Sequence, residues 1–351
     1  MTRPVRALAA LLLSLAFLPR SGAAQGTGTV AGRAVDAADN APLPVSIVRL
    51  LPADAAAGGT AALTDQAGAF RFAGVAPGRY RLVLERIGYT APPGAPFDVR
   101  AGETVERTLA SRLTPVQVEG ITAVANACYT ADRLDQAPDL AALWREAAKG
   151  AEQRRSFRLQ YAYRMNLRFR GVARLNLLRD RQIDRDTVIY THPDSVRRRE
   201  EEARRARGYG RESGRSVSVT VPDDGEILAD DFLRTHCLYG DTTATDDGSL
   251  ALRFRPVRPR RGLIELSGEL WIDPRSYQVR RIIYDYQQGG REWAHASIVF
   301  EPVATPSGTV RLPTRGRFRG DPGGALGLLL DDFSGAVEIS RYRDFVRVGG
   351  G

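Results

Sequence analysis

Lysine is almost absent from this chain: of 50 basic residues only Lys149 is a lysine. Selection for phosphate contacts gives no reason to avoid it. The arginine excess, set among many alanines and glycines, reads as coding bias, and no nucleic-acid partner is expected. Histidine is scarce as well, with only His192, His236 and His295. They form no H-E-x-x-H pair and no H-x-x-E followed by a third ligand, so the metallocarboxypeptidase reaction has no zinc set. Neither a G-x-S-x-G elbow nor a P-loop occurs, and Gly26-Thr27-Gly28 lacks the preceding strand a dinucleotide site requires. No catalytic, cofactor-binding or metal-binding residue is assigned, and no cofactor is expected.

Long apolar runs are equally few. The one at residues 7–18 follows Arg3 and Arg6 and precedes the small residues Ser21-Gly22-Ala23-Ala24. A basic n-region, a short apolar segment and a small-residue cleavage site describe a signal peptide over residues 1–24. The run is too short to span a bilayer comfortably, and no transmembrane segment is expected after cleavage. No cysteine follows it to carry a lipid anchor. The formal charge of +9 becomes +6 once Arg3, Arg6 and Arg20 are removed. The mature chain is expected to be exported, either periplasmic or outer-membrane-associated and extracellular.

Only two cysteines remain, Cys128 and Cys237. In an oxidising compartment such a pair is expected to be bridged. The bridge closes a loop of more than 100 residues, a constraint the chain-entropy model values at roughly 4–5 kcal/mol. A metal or redox pair is the weaker alternative, because the spacing is far from C-x-x-C. A thiolate–imidazole couple between Cys237 and His236 would require that sulfur to be free.

What is present is mostly strand pattern. Residues 29–36 and 46–50 read as strands, residues 53–62 as an Ala/Gly-rich loop, and residues 64–89 as two strands about a GVAPGR turn. Phe70 and Phe72 share one face; Tyr80, Leu82 and Leu84 share another. Strands at 97–99 and 104–109 follow. Short strands separated by Gly, Pro and Asp turns indicate an antiparallel sandwich of about 90 residues. GRAVDA, PLPVSIVRL, TDQAGAFRF and PGRYRLVLERIGY closely resemble the carboxypeptidase regulatory-like domain. The resemblance implies a transthyretin-like Greek-key sandwich over residues 25–112, an accessory module with no activity of its own. It places Asp65 and Gly68 in a turn and Phe70, Phe72, Tyr80 and Leu82 in the core. LTPVQVEGITA resembles the segment leading towards the plug of outer-membrane receptors, but the roughly 230 residues that follow are too few for a plug and a transport barrel.

Residues 113–155 read as a linker and an amphipathic helix, with Asp139 able to cap it, Leu140, Leu143, Trp144 and Ala147 on one side, and an end near Arg155. Beyond it Phe157, Leu159, Tyr161, Tyr163, Met165, Leu167 and Phe169 alternate with Arg158, Gln160, Ala162, Arg164, Asn166, Arg168 and Arg170. That pattern predicts one long strand with an apolar and a wet face, and the apolar row is the candidate binding face. A charged insertion at residues 194–215 carries i,i+4 pairs over 196–207 and reads as a solvated helix. Strands at 264–272, 278–286, 297–301, 309–312, 315–319 and 336–346 complete a C-terminal domain over residues 156–348. The hairpin GELWIDPRSYQVRRIIYDY resembles one in periplasmic lipoprotein-carrier proteins, curved half-barrels around an apolar cavity. ACYTADRLDQAPDLAALWREAAKG, RTHCLYG, LRFRPV and GELWIDP resemble uncharacterised exported bacterial proteins of no known activity.

The expected fold is mainly β: an N-terminal antiparallel Greek-key β-sandwich, and a C-terminal curved antiparallel sheet with one packed helix. Acid doublets at Asp223-Asp224, Asp230-Asp231, Asp246-Asp247 and Asp331-Asp332 are read as solvated turns, against glycosidase or calcium chemistry. The expected function is a non-enzymatic binding or structural module of the bacterial envelope. Its partner would be an envelope protein, a glycan or an amphiphile. Two alternatives stand beside it: carbohydrate recognition by the sandwich, weakened by the absence of tryptophan there, and lipid or lipoprotein binding in the curved sheet.

Overall fold

The computed structural model describes residues 26–55, 58–114, 127–175, 180–205, 208–213, 216–239, 245, 247–320 and 330–348. The expected signal peptide lies outside the described residues. Eight strands form the first unit: β1 (Gly28–Asp36), β2 (Ile47–Pro52), β3 (Thr60–Leu63), β4 (Ala69–Val75), β5 (Gly78–Glu85), β6 (Tyr89–Thr90), β7 (Phe97–Val99) and β8 (Thr104–Leu113). They make two four-stranded sheets, β4-β1-β8-β6 and β3-β2-β5-β7. The period-2 rows do what their alternation predicts. Phe70, Phe72, Leu82 and Leu84 are buried together with Val30, Val48 and Val99 between the sheets, and each such side chain contributes roughly 1.5–3 kcal/mol.

The turn before β4 follows from two residues. The Asp65 carboxylate accepts from the N–H groups of Ala67 and Ala69. Gly68 takes φ +72° with the Ala34 carbonyl 2.5 Å from where a Cβ would stand, so only glycine fits there. Two features go beyond the sequence pattern. Residues 60–62, the end of the expected loop, form β3 with Leu63 beside β2, and β1 pairs with β8 in parallel, which no hairpin signal announces.

The second unit begins with helix α1 (Pro138–Gln160), followed by β9 (Tyr161–Leu175), β10 (Arg181–Thr191), α2 (Pro193–Arg205), the hairpin β11 (Gly210–Ser213) and β12 (Ser216–Val219), and the single-turn α3 (Asp224–Ile227). Then come β13 (His236–Tyr239), β14 (Leu250–Pro256), β15 (Glu265–Ile272), β16 (Val279–Gln288), β17 (Arg291–Thr305), β18 (Gly308–Gly320) and β19 (Leu330–Arg347). Nine of these strands make one antiparallel sheet in the order β10-β9-β19-β18-β17-β16-β15-β14-β13. Helix α1 lies on one face of it. Leu140, Leu143 and Trp144 pack with Leu252, Phe254, Leu270 and Tyr284 in the largest core cluster.

Helix α1 departs from expectation at both ends. Its N-cap is Ala137, with Pro138 following and no side-chain cap bond. Asp139 instead places its charge in the first turn, against the helix dipole. At the other end the helix continues past Arg155 to Gln160, so Phe157 and Leu159 are helical and the strand begins at Tyr161. Tertiary contacts override the local alternation. Arg154 and Arg158 pair with Asp224 and Asp223, Arg155 pairs with Glu200 of α2, and Phe157 is wholly buried. The same helix joins the two units. Gln153 Nε2 donates to the Val45 carbonyl at 2.8 Å, the Gly88 N–H donates to Glu146 Oε2 at 2.9 Å, and Arg49 lies 3.4 Å from Glu152.

Candidate functional site

The seven residues of the expected apolar face do not form one open surface. Phe157 leaves it for α1 and is buried in a cluster with Val45, Ile47 and Leu63 of the sandwich and Val310 and Leu312 of β18. Tyr161 and Tyr163 join that cluster, stacked on Phe157 with ring centroids 5.1 and 5.7 Å away, and Met165 packs against it. Leu159 is half-buried on α1 and Leu167 half-buried on β9. The Phe169 ring stacks on Phe333 and lies against Gly171 and Gly335, about 3.0 Å from where their Cβ atoms would be. The apolar half of the pattern thus holds the two units together and fills the sheet.

Several sequence candidates prove structural. Cys128 and Cys237 form a disulfide with a separation of 109 residues, and beside it Tyr129 pairs with Leu238 at the start of β13. The thiolate–imidazole couple is therefore closed off. His236 is wholly buried, stacked on Phe232 at 4.0 Å, and burial pushes its pKa down to about 4. Asp224 is buried and Asp223 half-buried, both in ion pairs and not in a solvated turn, which corrects the reading of that doublet. Asp223 caps α3 by accepting from the Glu226 N–H at 3.0 Å and also pairs with Arg158; Asp224, 3% exposed, pairs with Arg154. The Arg154 guanidinium stacks over Phe300. Burial, with Asp223 nearby, pushes Glu226 up to about 7. Together these groups clamp the last turns of α1 to the α3 segment. No local signal could have shown this, because the arginines stand some 65–70 residues away in sequence.

The wet half of the pattern has the open surface. Ala296 of β17 is buried in the core beneath α1; it pairs with Phe318, Phe318 with Gly335, and Gly335 with Gly171. Cross-strand partners share a face and the next residues point the other way. Two rows therefore face away from α1. One runs Ser297, Arg317, Ala336, Arg170, Asp184; the other runs His295, Arg319, Ser334, Val172, Gln182. Between them lies a concavity of about 750 Å³ bordered by Arg170, Arg317, Arg319 and His295, all exposed, over the backbone of Phe318, Gly335 and Gly171 with Ala336 beside it. Asp184 gives both carboxylate oxygens to Arg168, at 3.0 and 2.7 Å, so the nearest acid is already engaged. Among the described residues neither Arg170 nor Arg317 has a carboxylate within ion-pair distance.

At the rim of this basin Asp285, Glu292 and His295 bring their donor atoms within 4.8 Å of one another, with Asp285 Oδ1 2.7 Å from His295 Nδ1. Sequence reasoning missed the trio. Asp285 and His295 are direct cross-strand partners, and a bulge after Tyr286 turns Glu292 to their side. These three side chains are of kinds that ligate divalent metals.

Residues 29–112 match the family model of the carboxypeptidase regulatory-like domain. No curated protein matches the chain. Among solved structures, the major pilin subunit BcpA of Bacillus cereus is similar at 15% identity and a TM-score of 0.21, over 25% of this chain and 31% of that one. The minor pilin GBS52 of Streptococcus agalactiae is similar at 19% identity and a TM-score of 0.22, over 26% and 46%. The chain thus spans less than half the length of either pilin. A LolA superfamily protein of Nitrosomonas europaea is similar at 14% identity and a TM-score of 0.27, over 58% of this chain and 94% of that one. Among the described residues no helix is long and apolar enough to cross a membrane.

Proposed function

We propose that this chain is a non-enzymatic binding module of the bacterial cell envelope, which meets its partner across the face of the nine-stranded sheet that is turned away from α1. The observation that carries this reading is the arginine-bordered basin of about 750 Å³ on the open face, within the usual size of a ligand site. The rest is consistent with export and binding. A regulatory-like domain accompanies the sheet, and the disulfide suits an oxidising compartment. The alternative of a lipid held beneath α1 is disfavoured, because Phe254, Tyr284 and Tyr286 are completely buried there among other core residues.

The test is a photo-crosslinking amino acid introduced at Ala336, on the basin floor, and at Arg71, on the exposed side of the sandwich. In cells that export the protein, position 336 is expected to give a discrete adduct in the envelope fraction and position 71 none. Equal or absent adducts at both positions would refute the open face as the working surface.

A further inference from the structure

We infer that the basin takes the phosphorylated sugar head group of a lipid. This deepens the preceding reading and rests on it. Arg170 and Arg317 stand on either side of Ala336 in one cross-strand row, which sets their Cβ atoms about 10 Å apart at the usual strand spacing. Arg319 lies in the adjacent row beside Ser334. Guanidinium groups grip phosphate oxygens in pairs, and Arg170 and Arg317 on opposite sides of one floor suit a ligand with phosphate at both ends. Ser297 and Ser334 supply hydroxyls of the kind that bind sugar oxygens. Ala336 is the one residue between Arg170 and Arg317 in that row, and its small side chain leaves room between them for a ring.

The lipid is argued from the same face. Along β10, Asp184, Val188 and Tyr190 point to one side. Val188 is 51% and Tyr190 59% exposed, and they pair with Asn166 and Arg164 of β9. Two bare apolar side chains therefore stand roughly 14–20 Å along the strand from the basin, at about 3.4 Å per residue. Tyrosine flanked by cationic side chains is suited to the interface of a bilayer. A sheet face with a cationic socket and an apolar corner matches a head group presented at a membrane surface better than a free anion.

The experiment uses the mature, disulfide-intact chain. Its binding is measured to vesicles of phosphatidylcholine alone, phosphatidylcholine with phosphatidylglycerol at matched charge, and phosphatidylcholine with lipid A, a bisphosphorylated disaccharide lipid. Glucose 1,6-bisphosphate serves as the soluble probe. Lipid A vesicles are expected to bind best. Arg170→Gln/Arg317→Gln is expected to weaken that binding about tenfold or more, as loss of charge-assisted contacts implies. Arg71→Gln, on the sandwich, is expected to change nothing. Val188→Ser/Tyr190→Ser is expected to weaken vesicle binding while leaving binding of the soluble bisphosphate unaltered. Equal binding of phosphatidylglycerol and lipid A vesicles, or indifference to Arg170→Gln/Arg317→Gln, would overturn the head-group inference. So would tight binding of the soluble bisphosphate without any gain on vesicles. If the inference fails while crosslinks from position 336 persist, the open-face reading survives; if both fail, both are overturned.

Discussion

The two halves of the nine-stranded sheet share one backbone pattern and have opposite fates. Over β13–β17 the inward row meets α1 and the α3 segment, and Leu252, Leu266, Leu270, Ile282 and Tyr284 lose almost all contact with water. Over β10, β9 and β19 the same alternation continues, yet beyond Tyr163 no described side chain of these three strands is buried. What differs is the partner on the face and not the strand. A helix of 23 residues at 1.5 Å per residue can lie across only part of so wide a sheet. The covered half holds the fold together, and the surface available for contact is the opposite face, the one turned away from α1.

That contrast can be broken by mutation, and the largest effect is expected at the disulfide. Replacing Cys128 and Cys237 by alanine frees a segment of 109 residues and should cost roughly 4–5 kcal/mol in the chain-entropy model, read as a lowered midpoint in urea. Next comes the clamp under the end of α1. Asp224→Ala strands the buried Arg154 guanidinium and should cost about 3–5 kcal/mol, whereas Arg154→Met/Asp224→Leu should recover most of it. A double variant no better than the single one would show that the site needs its charges.

The third effect is one of pH. His236 has its folded pKa depressed from 6.5 to about 4, because burial disfavours the imidazolium. Between those values the unfolded chain binds more protons than the folded one, so stability rises with pH in that window. The contribution of His236 is complete above about pH 6.5 and is lost as pH falls towards 4. Glu226 acts in the opposite sense. Its folded pKa is raised from 4.5 to about 7 by burial, with Asp223 adding to the rise. Its contribution is complete below about pH 4.5 and is lost as pH rises through 7. Urea midpoints of Glu226→Gln against the parent, measured from pH 4 to 8, should show the parent losing ground as pH rises. Proton NMR of the His236 ring should show it neutral at pH 6, and a charged ring at that pH would contradict the buried site.

The smallest effect is expected on the open face. Arg170→Gln/Arg317→Gln should leave the urea midpoint within experimental error of the parent, since exposed arginines without carboxylate partners contribute little to stability. A large loss there would mean that the basin is a structural element, and the contrast between the packed and the open surface would collapse.

The sandwich was legible because its signals are local. Asp65 and Gly68 sit three residues apart in one turn, and Phe70 with Phe72, and Leu82 with Leu84, declare their faces within a few positions. The second unit was legible as strands and a helix, but its site was not. Arg170, Arg317 and Ala336 come together across three strands, and the carboxylate partners of Arg154 and Arg158 lie on a distant segment. The apolar row from Phe157 drew attention because it is conspicuous in sequence, yet half of it proved to be the contact with the sandwich.

By itself the amino-acid sequence determined the mainly β architecture, the sandwich core and the pair of cysteines able to bridge. Those follow from alternation, turn chemistry and the pairing of two thiols, all short-range or combinatorially simple. Only the tertiary structure decided where α1 ends, which acid doublet is buried and which face of the sheet stays open. Period-2 alternation states that a strand has two different sides; which side acquires a neighbour depends on packing between segments far apart in the chain.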